Sequence, residues 1–178
     1  KAISQFIQKM HLQPNVLAMY SDVNAREGYW VGLPHMLKTV YGDAIENLTL
    51  DQATIVAYCH WAFASRSTVY YNPDFTSDKL ENATYYAPVS NYFTKRTDNY
   101  GLALKGGNQW ESHNHQDVGS FILSKNDKQV LCDIGARPYT RQYFEHPQRY
   151  TFLETSSRGH NVPIINGQYQ GNVRETRF

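Results

Sequence analysis

Two histidines separated by one residue, His113 and His115, are the residues of this sequence best suited to chemistry. On a β-strand, residues i and i+2 project from the same face, so both imidazoles would point into one site. Imidazole is a common ligand of zinc, copper, iron and nickel. Alone, this H-x-H pattern is a weak signal, because a chance pair of surface histidines produces it as readily as a metal site does.

Two more residues, which come later in the chain, could complete such a site. Asp133 follows the strand-like run 129–132 and precedes Gly135, so its carboxylate is expected at a strand end beside a tight turn. His160 follows Gly159, which lets the backbone approach closely. Nitrogen ligands with one carboxylate and an open coordination position are typical of catalytic rather than structural zinc. The H-E-x-x-H pattern of the common zinc peptidases does not occur.

The composition predicts a folded chain of ordinary charge. Its 178 residues could form one domain or the adjoining pieces of two, and 41% of them are apolar, which excludes disorder. Seventeen Lys and Arg against 16 Asp and Glu leave a net charge of +1, so no basic field points to nucleic acid. No run approaches the roughly 20 apolar residues of a membrane span. The 14 tyrosines suit either a sugar-binding surface or ordinary core packing.

The first half of the chain reads as helical. Apolar spacing predicts a helix over residues 3–10 and a second over 35–40 that ends near Gly42. A capping pattern predicts a third helix from Thr49 to about Ser65. The chain begins without Met inside a predicted helix and ends soon after a strand-like run, so we expect both ends to be incomplete.

The second half reads as β-structure. Residues 67–95 are rich in Tyr, Asn, Ser and Pro and predict a long connection, which places a domain boundary near residue 95. Residues 125–128 have the composition of a hairpin turn. The strands that we expect on either side of such turns form an antiparallel sheet, one wall of a sandwich. They are 101–104, 118–123, 129–132 and 162–165.

Several spaced motifs follow one another in the second half: GLALKGG at 101–107, ESHNHQDVGSF at 111–121, DIGA at 133–136 and GHNVP at 159–163. In this order they resemble the β-sandwich domain of the heparinase II/III-like polysaccharide lyases. Such enzymes consist of an (α/α) toroid followed by antiparallel β-sheet domains, with the active site in the cleft between them. The resemblance implies that residues 1–95 form the end of the toroid plus a connection, and that residues 96–178 form the antiparallel β-sandwich.

The resemblance also implies roles for the histidine residues. It makes His113 catalytic and assigns His115, Asp133 and His160 as ligands of a zinc ion. In such a scheme the zinc is chiefly structural, because it fixes the loops that carry the catalytic side chain. This replaces the open catalytic site that the ligand types alone favoured. Asp117 is then expected to orient a histidine through a hydrogen bond, the alternative being an Asp that stabilises a turn.

The reaction that the resemblance implies is β-elimination at a uronic acid. A base removes the proton at C5, the oxygen at C4 leaves with a proton, and the developing negative charge needs stabilisation. Tyr29, in the segment Glu27–Trp30, is the candidate tyrosine for proton transfer, the alternative being an aromatic anchor at a helix start. Four residues are candidates for contact with the acidic sugar, or else ordinary strand-surface residues: Arg96, Tyr139, Arg149 and Tyr150.

Two other functions are consistent with the sequence. A cupin-like metal enzyme is suggested by Gly107 followed at the right spacing by H-x-H, although Asp117 lies at the wrong offset for the cupin glutamate. A non-catalytic relative that binds glycans is the second. For the lyase we expect an acidic polysaccharide as partner, no nucleic acid, and a periplasmic or secreted location.

Overall fold

The structure is a computed structural model of the 178-residue chain. It describes residues 5–23, 29–30, 32–42, 53–54, 69–76 and 79–171. No helix in these ranges is long and apolar enough to cross a membrane.

The main element of the described chain is a five-stranded antiparallel sheet. Its strands lie side by side in chain order, so each pairs with its sequence neighbour. The alternation of side chains between the two faces buries Ala103 and Ile122 completely. The strands are β5 (Ala83–Ala87), β6 (Tyr92–Arg96), β7 (Tyr100–Lys105), β8 (Phe121–Lys125) and β9 (Lys128–Leu131).

The hairpin between β8 and β9 has the predicted turn. Asn126 and Asp127 have φ angles of 51° and 60°, the left-handed conformation that a two-residue hairpin turn requires. The turn is also tied to the N-terminal segment, because Asp127 Oδ1 accepts a hydrogen bond of 2.7 Å from the Asn15 backbone N–H. The prediction of an antiparallel sheet with this hairpin is therefore confirmed.

The N-terminal segment packs against the sheet. It consists of a short helix, α1 (Phe6–Met10), and a hairpin of β1 (His11–Gln13) and β2 (Val16–Leu17). Its close approach requires Gly101, since a Cβ at that position would lie 2.5 Å from the Leu12 Cβ. The resulting core contains Met10, Leu12, Val16, Leu17, Ala18, Tyr20, Ala103 and Ile122.

A second helix and two short strands lie in the first half of the chain, and three short 3-10 helices follow the sheet: Arg141–Phe144, Gln148–Thr151 and Ser157–Gly159. The helix α2 (Gly32–Tyr41) confirms the helix predicted over 35–40 and its end near Gly42. The strands β3 (Tyr29–Trp30) and β4 (Ala53–Thr54) pair in parallel. The helix predicted from Thr49 therefore does not pass through Ala53 and Thr54, and its other residues lie outside the described ranges.

Three further predictions were wrong in detail. The helix predicted over 3–10 covers only Phe6–Met10 among described residues, and a β-hairpin follows it. Residues 67–95 contain β5 and most of β6, because their Tyr and Thr side chains alternate along half-exposed strands without forming an apolar run. Residues 162–165 form only an isolated bridge between Ile165 and Gln168. The domain boundary near residue 95 stays a prediction.

Candidate functional site

The predicted H-x-H pair lies in the connection between β7 and β8, which spans residues 106–120. His113 lies in a turn with a φ angle of +60°, so the expected strand alternation does not apply. The His113 side chain is 57% exposed, whereas that of His115 is fully buried. The prediction that the pair lies on a strand was therefore wrong, because His113 has a left-handed backbone conformation, and the two side chains differ in exposure.

The buried histidine belongs to a candidate metal-binding triad. Ligand atoms of His115, Asp117 and His160 all lie within 4.8 Å of one another, and all three residues are buried. The ring centroids of the two histidines are 5.2 Å apart. In the described part of the chain, His115 Nδ1 and His160 Nε2 are buried without a hydrogen-bond partner. An unpaired buried polar atom costs about 1–3 kcal/mol, so two imidazole nitrogens beside a carboxylate fit a cation.

The predicted ligand Asp133 contacts His160 on the other side of its ring. Asp133 Oδ2 lies 2.8 Å from His160 Nδ1, and Oδ1 accepts a hydrogen bond of 2.8 Å from the Gly135 N–H. A carboxylate accepts the Nδ1 proton and leaves His160 Nε2, the atom without a partner, with its lone pair. This arrangement is the usual one for a histidine that binds a metal through its other nitrogen.

Asp117 pairs with a lysine at the end of β7. The Lys105 Nζ donates to both carboxylate oxygens, at 2.6 and 2.8 Å, and to Ser21 Oγ at 2.7 Å. Both side chains of the ion pair are buried. The cation of Lys105 therefore neutralises a carboxylate of the triad and connects the triad to the sheet.

Asp22, like Lys105 and Tyr143, is a residue of this site that was not predicted from the sequence. Its carboxylate is 4% exposed and lies 2.8 Å from both His113 Nδ1 and His115 Nε2. It also accepts hydrogen bonds from the Tyr143 hydroxyl and, at 3.2 Å, from Arg149 Nη2. Burial alone would raise the pKa of Asp22, but hydrogen bonds from Tyr143, His115 and His113 lower it from 3.8 to about 2. We call Asp22, His113, His115, Asp117, Asp133 and His160 the histidine cluster.

A signal for Asp22 does exist in the sequence. It follows the buried run 16–20, just as Asp133 follows a strand, and the same rule of a carboxylate at the end of an apolar run applies to it. Nothing local, however, connects it with His113, because 91 residues separate the two.

The environment of His115 favours its neutral form. Burial lowers the pKa of His115 below the ordinary 6.5, against the smaller opposing effect of its hydrogen bond to Asp22. Neutral imidazole is the form that binds a metal. The lowered pKa therefore keeps His115 in the form that can bind a metal.

Aromatic side chains line the exposed side of the cluster. The Tyr139 hydroxyl donates to Asp22 Oδ2 at 3.2 Å, although the side chain of Tyr139 is about half exposed. Its ring packs edge-on against Phe144 at 4.9 Å. Burial, followed by the charge and hydrogen bond of Asp22, raises the pKa values of Tyr139 and Tyr143, so both stay protonated donors.

The other predicted sugar contacts lie in different surroundings. Arg149 is buried, stacks on Tyr143 and donates to the Asn114 carbonyl at 2.8 Å. The Tyr150 hydroxyl accepts a hydrogen bond of 3.2 Å from Asn114 Nδ2. Arg96 lies on the sheet, buried, with its guanidinium on backbone carbonyls of the N-terminal segment. The backbone of Tyr29 forms part of β3, and its side chain lies outside the described atoms.

The family model of the heparinase II/III-like C-terminal domain matches residues 81–177, more than half of the chain. The chain belongs to the heparinase II/III-like family. A comparison with curated proteins gives no match. The family match covers the five-stranded sheet and all of the histidine cluster except Asp22, which precedes it. It confirms the resemblance that the motifs indicated. The heparinase II/III-like family is therefore preferred to the cupin-like alternative.

Proposed function

We propose that this heparinase II/III-like chain is part of a zinc-containing polysaccharide lyase that cleaves uronic-acid-containing glycans by β-elimination. The observation that supports the proposal most strongly is that the two histidines of the H-x-H pair differ in exposure and in surroundings. His113 is exposed and can reach a substrate, whereas His115 is buried in the candidate metal triad.

The two proton transfers of the reaction have candidate residues in this chain. His113 removes the C5 proton of the uronic acid, and Tyr29 serves as the second proton-transfer group, as the family resemblance implies. The Tyr139 hydroxyl donates a hydrogen bond to the Asp22 carboxylate that also holds His113, and its oxygen can accept a hydrogen bond from the sugar. Arg149 and Tyr150 support the loop through Asn114.

The bound metal in this proposal is zinc. Two imidazole nitrogens and a carboxylate are typical zinc ligands. Zinc, when bound, would hold the loop that carries His113 and His115 to the segment that carries His160. The family resemblance assigns Asp133 as the carboxylate ligand, and the geometry offers Asp117, which belongs to the triad.

Zinc content distinguishes the two carboxylates. If Asp133 is the ligand, we expect Asp133→Asn to lose stoichiometric zinc, because an amide replaces the carboxylate. If Asp117 is the ligand, we expect the same of Asp117→Asn. The variant of the other residue should keep zinc with an affinity about 10- to 100-fold lower, the usual cost of changing a residue that supports a ligand. Elemental analysis after dialysis against graded zinc concentrations measures this. Full zinc retention in both variants would contradict a carboxylate ligand at either position.

The assignment of His113 to catalysis and of His115 to zinc binding is tested with His113→Ala and His115→Ala. We expect His113→Ala to lower the rate of elimination by about 10²- to 10⁴-fold while zinc content stays unchanged, because general base catalysis contributes that much. His115→Ala should lose zinc. The assay follows the ultraviolet absorbance of the C4–C5 double bond on heparan sulfate, chondroitin sulfate and alginate. Loss of zinc in His113→Ala, or wild-type cleavage by it, contradicts the proposal.

The remaining parts of the proposal follow from the family. Residues 1–95 would contain the end of the (α/α) toroid, and the polymer would bind in the cleft between it and the β-sheet domain. An enzyme that acts on such polymers is expected in the periplasm or outside the cell.

A glycan-binding relative without catalysis is the second candidate. The half-exposed aromatic rings of Tyr139, which shares the Asp22 carboxylate with His113, and of Phe144, which packs against Tyr139, favour it, since aromatic faces also bind sugars without cleaving them. Retention of the three polymers on an affinity gel without formation of the double bond would establish this second function.

A further inference from the structure

One buried carboxylate joins the two histidines of the H-x-H pair. Asp22 Oδ2 lies 2.8 Å from His113 Nδ1, and Asp22 Oδ1 lies 2.8 Å from His115 Nε2. Asp22 is outside the part of the chain that the family model matches. It comes from the N-terminal segment, which packs on the sheet through Leu12 and its neighbours.

The contacts of Asp22 determine which nitrogen of each ring carries the proton. An ionised carboxylate can only accept hydrogen bonds, so the nitrogen that faces it must be the protonated one. His113 then carries its proton on Nδ1 and has a lone pair on Nε2. His115 carries its proton on Nε2 and has a lone pair on Nδ1, which is the buried atom without a partner.

The position of Asp22 is itself fixed by other side chains. Arg149 Nη2 donates both to Asp22 Oδ1, at 3.2 Å, and to the backbone carbonyl of Asn114, at 2.8 Å. Asn114 is the residue between the two histidines, so Arg149 ties the carboxylate to the backbone of the H-x-H pair. The Tyr143 hydroxyl donates to the same Asp22 oxygen.

Neither of the other two carboxylates of the histidine cluster contacts His113. Asp133 accepts from His160 and from the Gly135 N–H, and both oxygens of Asp117 accept from Lys105. Among the described residues, Asp22 is therefore the carboxylate that holds the exposed histidine.

We propose that Asp22 is a positioning residue for the elimination reaction, because its one carboxylate fixes the ring and tautomer of both His113 and His115. His113 thereby presents the lone pair of Nε2 to the C5 proton of the substrate, and His115 presents that of Nδ1 to the metal. This inference rests on the proposed lyase function for its catalytic part, whereas the two tautomers can be measured without any activity.

The tautomers are measured first, on the zinc-loaded wild-type chain labelled with ¹⁵N-histidine. Long-range ¹H–¹⁵N correlation spectra distinguish a ring with a proton on Nδ1 from one with a proton on Nε2. Single His→Gln variants assign the signals. We expect the Nδ1–H form for His113 and the Nε2–H form for His115. A His113 ring that is mainly in the Nε2–H form overturns the proposal.

The kinetic test compares Asp22→Asn with Asp98→Asn, a matched change at an exposed aspartate in the turn between β6 and β7. Zinc is kept in excess so that both proteins are fully loaded. We expect Asp22→Asn to lower kcat by about 10- to 100-fold with KM within about twofold, and to mix the His113 tautomers, because the orienting acceptor is weakened. Asp98→Asn should match the wild type. An unchanged kcat in Asp22→Asn overturns the proposal.

These outcomes separate the inference from the proposed function. If the wild-type chain cleaves none of heparan sulfate, chondroitin sulfate and alginate, the lyase function fails, while the tautomers still test whether each ring carries its proton on the nitrogen that faces Asp22. Because the tautomer measurement needs no substitution at position 22, it also decides the case in which Asp22→Asn impairs folding.

Discussion

The five-stranded sheet and the histidine cluster are built from contacts of very different range. In the sheet, each strand pairs with its neighbour along the chain. In the pairing of β7 with β8, for example, Tyr100 lies opposite Lys125 and Leu104 lies opposite Phe121. In the cluster, Asp22 contacts a residue 91 positions away, and Asp133 contacts one 27 positions away. The sheet can therefore form from successive hairpins, whereas the cluster needs the N-terminal segment to be packed on the sheet first.

The two regions also differ in what stabilises them. The sheet combines backbone hydrogen bonds with an apolar face that contains Ala103 and Ile122. Apart from the exposed His113, the cluster is polar and buried, and it depends on each charged group having a partner. Changes in the cluster should therefore have larger effects than changes of similar size at the edge of the sheet.

The largest effect is expected at Lys105, where the two regions meet. Lys105→Met leaves the buried carboxylate of Asp117 without its cation, and we expect a loss of about 3–5 kcal/mol in the free energy of unfolding. Lys125→Met, at the exposed end of β8, is the matched control, with an expected change within about 0.5 kcal/mol. Urea unfolding of the zinc-free proteins measures both. Equal stability of the two variants would show that the ion pair does not join cluster and sheet.

A smaller effect is expected when the pH falls. The pKa of Asp22 is lowered from 3.8 to about 2 in the folded chain. A carboxyl group whose pKa is lower in the folded than in the unfolded state stabilises the protein when the pH is above its unfolded-state pKa. This stabilisation is lost as the pH falls through the folded-state pKa. Zinc-free wild type should therefore lose about 2 kcal/mol between pH 4 and pH 2 that Asp22→Asn does not lose. Parallel pH profiles of unfolding free energy for the two proteins would contradict this contribution.

The smallest effect is expected in the hairpin turn of the sheet. Asn126 has a φ angle of 51°, which costs an ordinary side chain about 1 kcal/mol, so Asn126→Ala should be destabilised by about that amount. Asn126→Gly is the matched variant and should retain stability, since glycine adopts this conformation freely. Thermal unfolding compares the two. If both variants lower the midpoint equally, the conformation of the turn is not the cause.

The outcome of the sequence analysis follows the same division between the regions. Strand alternation and turn composition are local properties, so β7, β9 and the hairpin at 126–127 were predicted from them. Strands β5 and β6 were not predicted, because half-exposed strands that alternate polar residues with tyrosines have the composition of a connection. In the site, the motifs indicated His113, His115 and His160 directly, while their contacts depend on how the connection 106–120, the segment after β9 and the N-terminal segment pack together.

The sequence by itself determined that the chain carries an antiparallel sheet, an H-x-H pair and the motifs of the heparinase II/III-like family, because these are written in residue types and short spacings. Only the tertiary structure decided that His113 is exposed in a left-handed turn while His115 is buried. It alone brought Asp22 between the two rings. The physical reason is that such contacts depend on how the N-terminal segment packs against the sheet, and no local spacing encodes a contact across 91 residues.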